Sequence, residues 1–170
     1  CFSPKPIPGQ AGNGMHINMS VKCSDGTDRS EAFLAGVLAH VREITAFLNP
    51  TEESYRRFGE MKAPRYITWS PENRSQLIRI PAAKGEYRRI ELRSPDPTAN
   101  PYLAYALLIH AGLDGIQKGM LPPQPVNENL YTAPRSLTAA LEQLPGSLTE
   151  AKQIARSSPF VTAILPEAML

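Results

Sequence analysis

An alternating run of charged and apolar residues at positions 87–93 carries the side chains best suited to chemistry. Successive side chains of a β-strand point to opposite faces, so Arg89, Glu91 and Arg93 would share one face, with the two residues between them on the other. Arginine has a planar, permanently charged fork that binds phosphate or carboxylate through paired hydrogen bonds. The run therefore predicts an anion-binding face. The alternative is a solvated surface of ion pairs, each worth under about 1 kcal/mol.

Further arginines support an anion site, because most arginines of the sequence lie between positions 56 and 93. Arg79 stands between Ile78 and Ile80 in a second strand pattern, so its guanidinium points away from those two side chains. Arg74 lies just before that strand. Together these arginines favour a phosphate-bearing ligand.

The single glutamate among these arginines is best explained as a ligand of a divalent cation. Residues 16–21 alternate as a strand that places His16, Asn18 and Ser20 on one face. One imidazole with carboxylates suits Mg²⁺ or Mn²⁺ better than a closed zinc site, which favours cysteine or more histidine. Arginines and a divalent ion are together what phosphoryl transfer from a nucleotide requires. We therefore predict that His16 and Glu91 bind a metal ion.

The composition narrows the function classes. A net charge of +2 and an aromatic content of 7% argue against nucleic acid as a partner. No apolar run reaches the roughly 18 residues that a membrane-spanning helix needs. Two cysteines, Cys1 and Cys23, cannot form a disulfide framework and indicate a cytoplasmic protein. The 170 residues, 42% of them apolar, are enough for one domain.

The order of the elements predicts an α+β fold. A loop rich in proline and glycine, residues 3–14, precedes the strand at 16–21. Apolar residues recur at helical spacing over 30–48 and again over 101–117.

Shorter elements complete this outline. Residues 51–64 are predicted to form a loop, and two short helices to begin at Ser136 and Ser147. Short strands are predicted at 65–70, 76–80 and 87–93.

Five blocks of this sequence, in order and at matching spacing, resemble motifs of the glutamine synthetases, in particular the prokaryotic type I branch. The resemblance covers about residues 3–132. The blocks are Lys5-Pro6-x-x-Gly9-x-x-Gly12-x-Gly14-x-His16-x-x-x-Ser20, Asn49-Pro50-Thr51-x-x-Ser54-Tyr55-x-Arg57, Asn73-Arg74-Ser75-x-x-x-Arg79-Ile80-Pro81, Arg89-Ile90-Glu91-Leu92-Arg93-x-Pro95-Asp96-Pro97 and Asn100-Pro101-Tyr102-Leu103.

The resemblance implies a reaction and an architecture. Such enzymes use ATP to phosphorylate the side-chain carboxylate of L-glutamate, and ammonia then displaces phosphate to give glutamine. Their site lies on a curved antiparallel sheet with flanking helices, binds Mg²⁺ or Mn²⁺, and belongs to a homo-oligomer of stacked rings. Neither a nucleic acid nor a membrane is implied as a partner.

The resemblance also implies a role for each matching residue. His16 and Glu91 would bind the metal ion on the nucleotide side. Gly12 and Arg57 would bind glutamate, whose side-chain carboxylate Arg93 would position. The implied catalytic residues are Arg74, Arg79 and Arg93, and those contacting ATP are Asn18, Ser20, Arg74, Arg79 and Arg89, with Lys84 as a further candidate.

The flap, residues 59–64, departs from the family pattern. Members of the family carry a glutamate just before an Ala-Pro pair, where it shields the intermediate and helps to deprotonate ammonium. Here Lys62 precedes Ala63-Pro64, and Glu60 lies two residues earlier. A charged lysine cannot accept that proton and would repel ammonium. Three hypotheses follow: Glu60 substitutes, the enzyme uses another amine such as a polyamine, or catalysis is impaired.

The resemblance places further metal carboxylates and a small N-terminal β-grasp domain upstream of residue 1. The chain begins without methionine and ends within a helical pattern, so residues 1–170 are interpreted as one segment of a longer catalytic domain, inactive alone. Tyr131 matches a tyrosine that some bacterial members adenylylate, although a packing role is the simpler interpretation. A non-catalytic regulatory homologue is the alternative from another class, and the retained metal and arginine residues argue against it.

Overall fold

A computed structural model describes residues 1–82 and 88–170, and within them it confirms the α+β class. The strands are β1 (Ile17–Met19), β2 (Trp69–Ser70), β3 (Ile78–Arg79) and β4 (Ile90–Leu92), and the helices are α1 (Ser30–Leu48), α2 (Glu52–Tyr55), α3 (Pro101–Lys118), α4 (Arg135–Thr138), α5 (Leu148–Ser157) and α6 (Pro159–Ile164), followed by a 3₁₀ turn at Glu167–Met169. The strands form one sheet in the order β1, β4, β3, β2.

Strand pairing brings three polar residues into one row across the sheet. Asn18 on β1 lies opposite Glu91 on β4, and Arg79 on β3 lies opposite Glu91 from the other side. Both of these pairings are antiparallel, as the resemblance implies, whereas β2 pairs with β3 in parallel. The sheet is therefore mixed, and its antiparallel part carries the polar row.

The hydrophobic core lies between the sheet and α1. Ile90 and Leu92 of β4 are buried, as the strand alternation predicts, and they join Ile17 of β1 in one apolar cluster. Helix α1 contributes an apolar stripe at helical spacing, namely Phe33, Leu34, Val37, Leu38, Val41, Ile44 and Leu48. The face of β4 opposite the core is thus left for the charged residues.

Helices α1 and α3 cross at close range because glycines line the crossing. A Cβ atom on Gly36 of α1 would lie 2.2 Å from the backbone oxygen of Ala111 and 2.7 Å from the backbone nitrogen of Gly115, both on α3. Such distances are far inside van der Waals contact, so a side chain at Gly36 would force the two helices apart.

Helix α3 confirms the helix predicted at 101–117. The side chain of Asn100 accepts hydrogen bonds from the backbone N–H groups of Tyr102 and Leu103, and Pro101 occupies the first turn, where its missing N–H costs nothing. Gly119 ends the helix in the left-handed conformation, with φ +59°.

The short helices differ in part from the sequence prediction. Helix α2 lies within residues 51–64, which were predicted as a loop, and the side chain of Thr51 caps it. The helix predicted at Ser147 is α5, and Ser147 caps it by accepting from the backbone N–H of Glu150. Helix α6 was missed, although Ser158 caps it and Pro159 opens it, which is a standard helix start.

The structure bears on the prediction about membrane-spanning helices, whereas Lys84 falls outside the residues that it describes. No helix among residues 1–82 and 88–170 is long and apolar enough to span a membrane. Lys84, proposed as a nucleotide contact, lies outside the described residues, as does the first residue of the strand predicted at 87–93.

Candidate active site

A cavity of about 380 Å³ opens on the polar face of the sheet. The loop before β1, the flap, the turn before β3 and the end of β4 contribute to its wall. The residues predicted from the sequence that line it are Gly12, His16, Arg57, Lys62, Arg74, Arg79, Glu91 and Arg93. The fold thus gathers residues from four separate blocks of the sequence around one space.

Glu91 lies at the centre of the charged network. Its Oε2 accepts a hydrogen bond of 3.0 Å from Arg79 Nη1, and its Oε1 lies 3.3 Å from Arg93 Nη1 and 3.0 Å from His16 Nδ1. Burial alone would raise the pKa of the Glu91 carboxyl, but the hydrogen bond from Arg79 and the charges of Arg93 and His16 outweigh burial and lower it. The carboxylate is therefore charged at neutral pH.

Burial excludes a solvated ion-pair surface for the centre of this face. The exposed fractions of Arg93 and Glu91 are only 4% and 8%. Charges buried to this degree are stable only when they are paired and hydrogen-bonded. Arg74 and Arg89 at the periphery are exposed, and of these two only Arg74 lines the cavity.

His16 places an imidazole beside that carboxylate. Burial, and then the positive charge of Arg93, lower the pKa of His16, and the neighbouring Glu91 opposes this shift only in part. The imidazole is therefore neutral at neutral pH, which is the form that ligates metal ions.

The chain provides some of the ligands that a hard divalent cation needs, but not a complete set within the described residues. His16 and Glu91 offer one nitrogen and two carboxylate oxygens, a donor set compatible with Mg²⁺ or Mn²⁺. Within residues 1–82 and 88–170 no three His, Cys, Asp or Glu side chains come together in a metal-binding arrangement. The chain would therefore supply two ligands, with water, substrate or other protein segments supplying the rest.

Arg93 connects three parts of the cavity wall. Its Nε donates a hydrogen bond of 3.2 Å to the backbone oxygen of Arg74, and its Nη2 donates one of 3.3 Å to the backbone oxygen of Lys62. Its Nη1 faces Glu91. A guanidinium has donors on both edges of a rigid plane, so a single side chain can hold the turn before β3 and the flap in place.

Arg57 is buried at the base of the cavity and is held by oxygen atoms on several sides. Its Nη1 donates to the backbone oxygen of Asn13 at 2.9 Å. Its Nη2 donates to Asn49 Oδ1 at 2.9 Å and to the backbone oxygen of Ser94 at 2.7 Å. Asp96 Oδ2 lies 3.6 Å from the same Nη2 and provides the opposite charge. The predicted clamp for glutamate is thus also an internal anchor of the fold.

The residues that hold Arg57 were not identified as part of the site from the sequence. Asp96 was interpreted as a turn former, and it does accept from the backbone N–H of Thr98 at 2.9 Å. Asp96 is also fully buried, and the pairing with Arg57 explains why a carboxylate is tolerated there. Its position inside one of the five motif blocks was the signal that could have shown this.

Packing requires a glycine at position 12, independently of any contact that Gly12 makes with a substrate. A Cβ atom at this position would lie 2.3 Å from the backbone oxygen of Pro4 and 2.7 Å from Cδ of Arg57. The loop before β1 therefore rests directly on the Arg57 side chain, which only a residue without a Cβ atom permits.

Comparison with known proteins agrees with this arrangement of motifs. The sequence profile described as "Glutamine synthetase, catalytic domain" matches residues 1–170. The chain belongs to the glutamine synthetase family. The expectation drawn from the five sequence blocks is thereby confirmed.

Similar proteins share both the sequence and the fold of this family member. The glutamine synthetase of Thermotoga maritima is 42% identical over 98% of the chain, and that of Methanosarcina mazei is 41% identical over the same share. Two solved structures, titled "GmaS/ADP complex-Conformation 1" and "Apo GmaS without ligand", superpose with TM-scores of 0.82 and 0.81 at 32% and 33% identity, each covering 99% of the chain. The chain spans 41% and 40% of the two curated relatives and 42% and 41% of the two solved chains.

The residues predicted to contact ATP in this family member are divided between two cavities. Arg79 lines the first, whereas Asn18 and Ser20 line a neighbouring cavity of about 480 Å³. His16 borders both. Arg89 lines neither cavity, but its Nε donates a hydrogen bond to Asn18 Oδ1 at 3.1 Å. Their roles toward ATP remain predictions.

The two flap residues that depart from the family pattern face different surroundings. Lys62 lines the first cavity. Glu60 is not among its lining residues, and its Oε2 pairs with Nζ of Lys5 at 3.1 Å. The structure therefore gives no support to the hypothesis that Glu60 replaces the missing flap glutamate.

Residues 127–131, of which the sequence analysis assigned a role only to Tyr131, contact the turn that carries Arg74. Asn127 accepts from the hydroxyl of Ser70 at 2.8 Å, and its backbone oxygen accepts from Asn73 Nδ2 at 2.8 Å. The hydroxyl of Tyr131 lies 3.4 Å from the backbone oxygen of Arg74. These contacts fit a packing role for Tyr131 next to the site.

Proposed function

We propose that the intact protein is a glutamine synthetase, which ligates ammonia to the side-chain carboxylate of L-glutamate through a γ-glutamyl phosphate intermediate. The observation that carries this proposal is the arrangement of Arg79 and Arg93 around the buried Glu91 beside His16. Fixed cations around one cavity are what a transferring phosphoryl group requires, because they meet negative charge as it develops. Since the chain spans about two fifths of its curated relatives, we expect it to be inactive alone.

In the first step, an oxygen of the glutamate side chain attacks the γ-phosphorus of ATP, and ADP leaves. Arg93 would orient that carboxylate, and Arg57 would bind the substrate from the base of the cavity. Arg74 and Arg79 would contact the phosphoryl oxygens. Because buried partners already fix Arg57 and Arg93, these residues do not have to reorganise during the reaction.

In the second step, the nitrogen lone pair of ammonia attacks the activated carbonyl carbon. The new C–N bond forms as the C–O bond to phosphate breaks, and phosphate departs with that bonding pair. The nitrogen then loses a proton. Met61, Lys62 and Ala63 of the flap line the cavity, and Lys62 is the charged residue among them.

We infer that ATP reacts together with Mg²⁺ or Mn²⁺, for which His16 and Glu91 would provide ligands. The ion, when bound, would neutralise negative charge on the phosphate groups. Asn18 and Ser20, which line the second cavity, and Arg89, which is hydrogen-bonded to Asn18, would bind the nucleotide on the other side of His16. We also propose that the protein is cytoplasmic, functions in nitrogen assimilation and assembles as a homo-oligomer of stacked rings.

A second candidate is a γ-glutamyl-amine ligase that uses the same phosphoryl step with a different amine. Two observations favour keeping it: Lys62 in the flap, and the high structural similarity to chains titled GmaS. A non-catalytic homologue is less consistent with the site, because such a protein would not need the paired arginines and His16 together.

Phosphate release from ATP by the intact protein tests the proposal. With Mg²⁺ and glutamate, we expect release that depends on ammonia, and at least about 100-fold less of it in Arg79→Gln. Arg29→Gln removes an arginine on the exposed turn before α1 and should retain activity. Release with putrescine but not ammonia would favour the second candidate. A folded protein that is silent with both would contradict the proposal.

A further inference from the structure

The first cavity has an unbalanced charge. Its described lining contains five permanently or normally cationic side chains and one carboxylate: Arg57, Lys62, Arg74, Arg79, Arg93 and Glu91. The carboxylate is already engaged by Arg79, Arg93 and His16. Apart from Glu91, which is proposed above as a metal ligand with His16, the charged side chains in the described part of the wall are therefore all cationic.

The carboxylate nearest in sequence cannot restore the balance in this arrangement. Glu60 lies two residues before Lys62, but its side chain is 61% exposed and pairs with Lys5 outside the lining. The side chain of Lys5 is only 10% exposed, so that ion pair is supported by packing on one side. A cationic molecule in the cavity would thus meet Lys62 without a compensating carboxylate from the flap.

The flap holds Lys62 in a defined conformation. Met61 and Lys62 both have positive φ, at +35° and +79°, which non-glycine residues rarely adopt. Hydrogen bonds close the turn around them, from Ala63 N to the oxygen of Glu60 at 2.9 Å and from Gly59 N to the oxygen of Ala63 at 3.0 Å.

Arg93 adds an anchor from the cavity itself. Its Nη2 donates to the backbone oxygen of Lys62 at 3.3 Å, so the residue that faces Glu91 also fixes the flap. Backbone strain of this kind persists only where surrounding contacts determine it, and it concentrates at functional sites. The backbone conformation of Lys62 is therefore determined by the contacts around it.

We propose that Lys62 selects the acceptor amine by charge, admitting uncharged amines and excluding protonated ones. The inference rests on the proposed function and specifies its second substrate: the acceptor is free NH₃ or another neutral amine, and a polyamine cation is excluded. A neutral amine arrives with its lone pair available, forms the C–N bond as phosphate leaves with the C–O bonding pair, and releases a proton to water. No carboxylate of the flap is needed to deprotonate it beforehand.

The test compares ammonia with hydroxylamine, a weaker base that stays largely uncharged at neutral pH. We would measure kcat/KM of the intact enzyme for both acceptors from neutral to mildly alkaline pH. The ratio of the two values cancels titrations of the protein that affect both reactions alike. For the natural sequence, the ratio of ammonia to hydroxylamine should rise about tenfold per pH unit, following the fraction of free NH₃.

Two variants isolate the charge of Lys62. In Lys62→Glu the ratio should be at least about tenfold higher at neutral pH and should rise less steeply, and Lys62→Gln should lie between that variant and the natural sequence. Lys152→Glu makes the same charge change on the exposed face of α5 and should leave the ratio unchanged.

Different results would overturn different claims. A ratio that does not vary with pH in the natural sequence, or one that neither Lys62 variant alters, would overturn charge selection while leaving the ligase function intact. Preferred use of putrescine would also overturn it. If neither ammonia nor hydroxylamine supports glutamate-dependent phosphate release, the proposed function itself fails, and the inference fails with it.

Discussion

Arg79 and Glu91 lie directly opposite each other on adjacent antiparallel strands, with 3.0 Å between Arg79 Nη1 and Glu91 Oε2. The register of the sheet therefore determines this ion pair, because a shift by one residue would turn one partner toward the core. Asn18 extends the row on the far side of Glu91. The site is thus built into the strand pairing itself rather than carried by loops alone.

Replacement of His16 should weaken metal binding more than it affects folding. We expect His16→Ala to raise the Mn²⁺ concentration needed for half-maximal binding by at least about tenfold, since a neutral imidazole ligand is lost. Titration of the intact protein with Mn²⁺, followed by its paramagnetic signal, measures this. His110→Ala removes an exposed histidine on α3 and serves as the matched control. Equal Mn²⁺ affinities for the two variants would contradict the assignment.

Gly12→Ala should destabilise the protein and disturb glutamate binding together. The added Cβ atom would meet Pro4 and the Arg57 side chain at 2.3 and 2.7 Å, so the loop or the guanidinium must move. We expect a loss of about 1–3 kcal/mol in unfolding free energy, measured by urea denaturation, and a raised KM for glutamate. Gly146→Ala is the control, because an added Cβ atom there would meet Glu150 Oε2 only at 3.7 Å, an ordinary van der Waals distance. A stable Gly12→Ala protein with normal KM would show that the loop tolerates a side chain.

Asp96→Ala should be strongly destabilising. It leaves Arg57, which is only 2% exposed, without its opposite charge, and breaking a buried ion pair in this way costs about 3–5 kcal/mol. Asp96→Asn should cost less, because the amide oxygen can still accept from the backbone of Thr98. Chemical denaturation of both variants compares them. If both substitutions lower the unfolding free energy by the same small amount, Asp96 does not stabilise the protein through its charge pairing with Arg57.

Asp114 should contribute stability that disappears in acid. Hydrogen bonds from Lys118 at 2.8 Å and from His40 at 2.9 Å lower the pKa of the Asp114 carboxyl below its ordinary value. A carboxyl with a lower pKa in the folded state stabilises the protein above its unfolded pKa, near pH 4, and this stabilisation is lost as the pH falls through the folded pKa. Asp114→Asn should therefore cost about 0.5–1 kcal/mol at pH 6 and progressively less as the pH falls below about 4.

Thermal unfolding of the natural protein and of Asp114→Asn across this pH range measures the stability that the Asp114 carboxylate contributes. Asp25→Asn provides a comparison on an exposed turn, where a similar acid dependence should come from Thr27 and Arg29 without any helix contact. A stability difference for Asp114→Asn that stays constant down to pH 3 would contradict the pairing.

Local patterns predicted the long helices and the orientation of the charged strand. Ile90 and Leu92 are buried and Glu91 faces the cavity, as strict alternation requires. Helix α3 has its start signal at Asn100 and its stop signal at Gly119, both readable without a structure. These features depend on neighbours close in sequence, which explains why the sequence was sufficient.

Contacts between distant segments could not be predicted in the same way. The partners of Arg57 come from three separate segments, at Asn13, Asn49 and Ser94, and no local period relates them. The positive φ at Lys62 is likewise invisible, because lysine carries no preference for that conformation. The five motif blocks indicated that these segments belong to one site, but only the fold gives the contacts.

Transfer of an isotope label from glutamate to phosphate tests the central claim most directly. The intact protein would be supplied with ATP, Mg²⁺, ammonia and glutamate labelled with oxygen-18 in the side-chain carboxylate, and the released phosphate would be analysed by mass spectrometry. If the cavity around Arg79 and Glu91 phosphorylates that carboxylate, each phosphate formed together with glutamine carries one labelled oxygen. Phosphate that carries no label while glutamine accumulates would contradict the account.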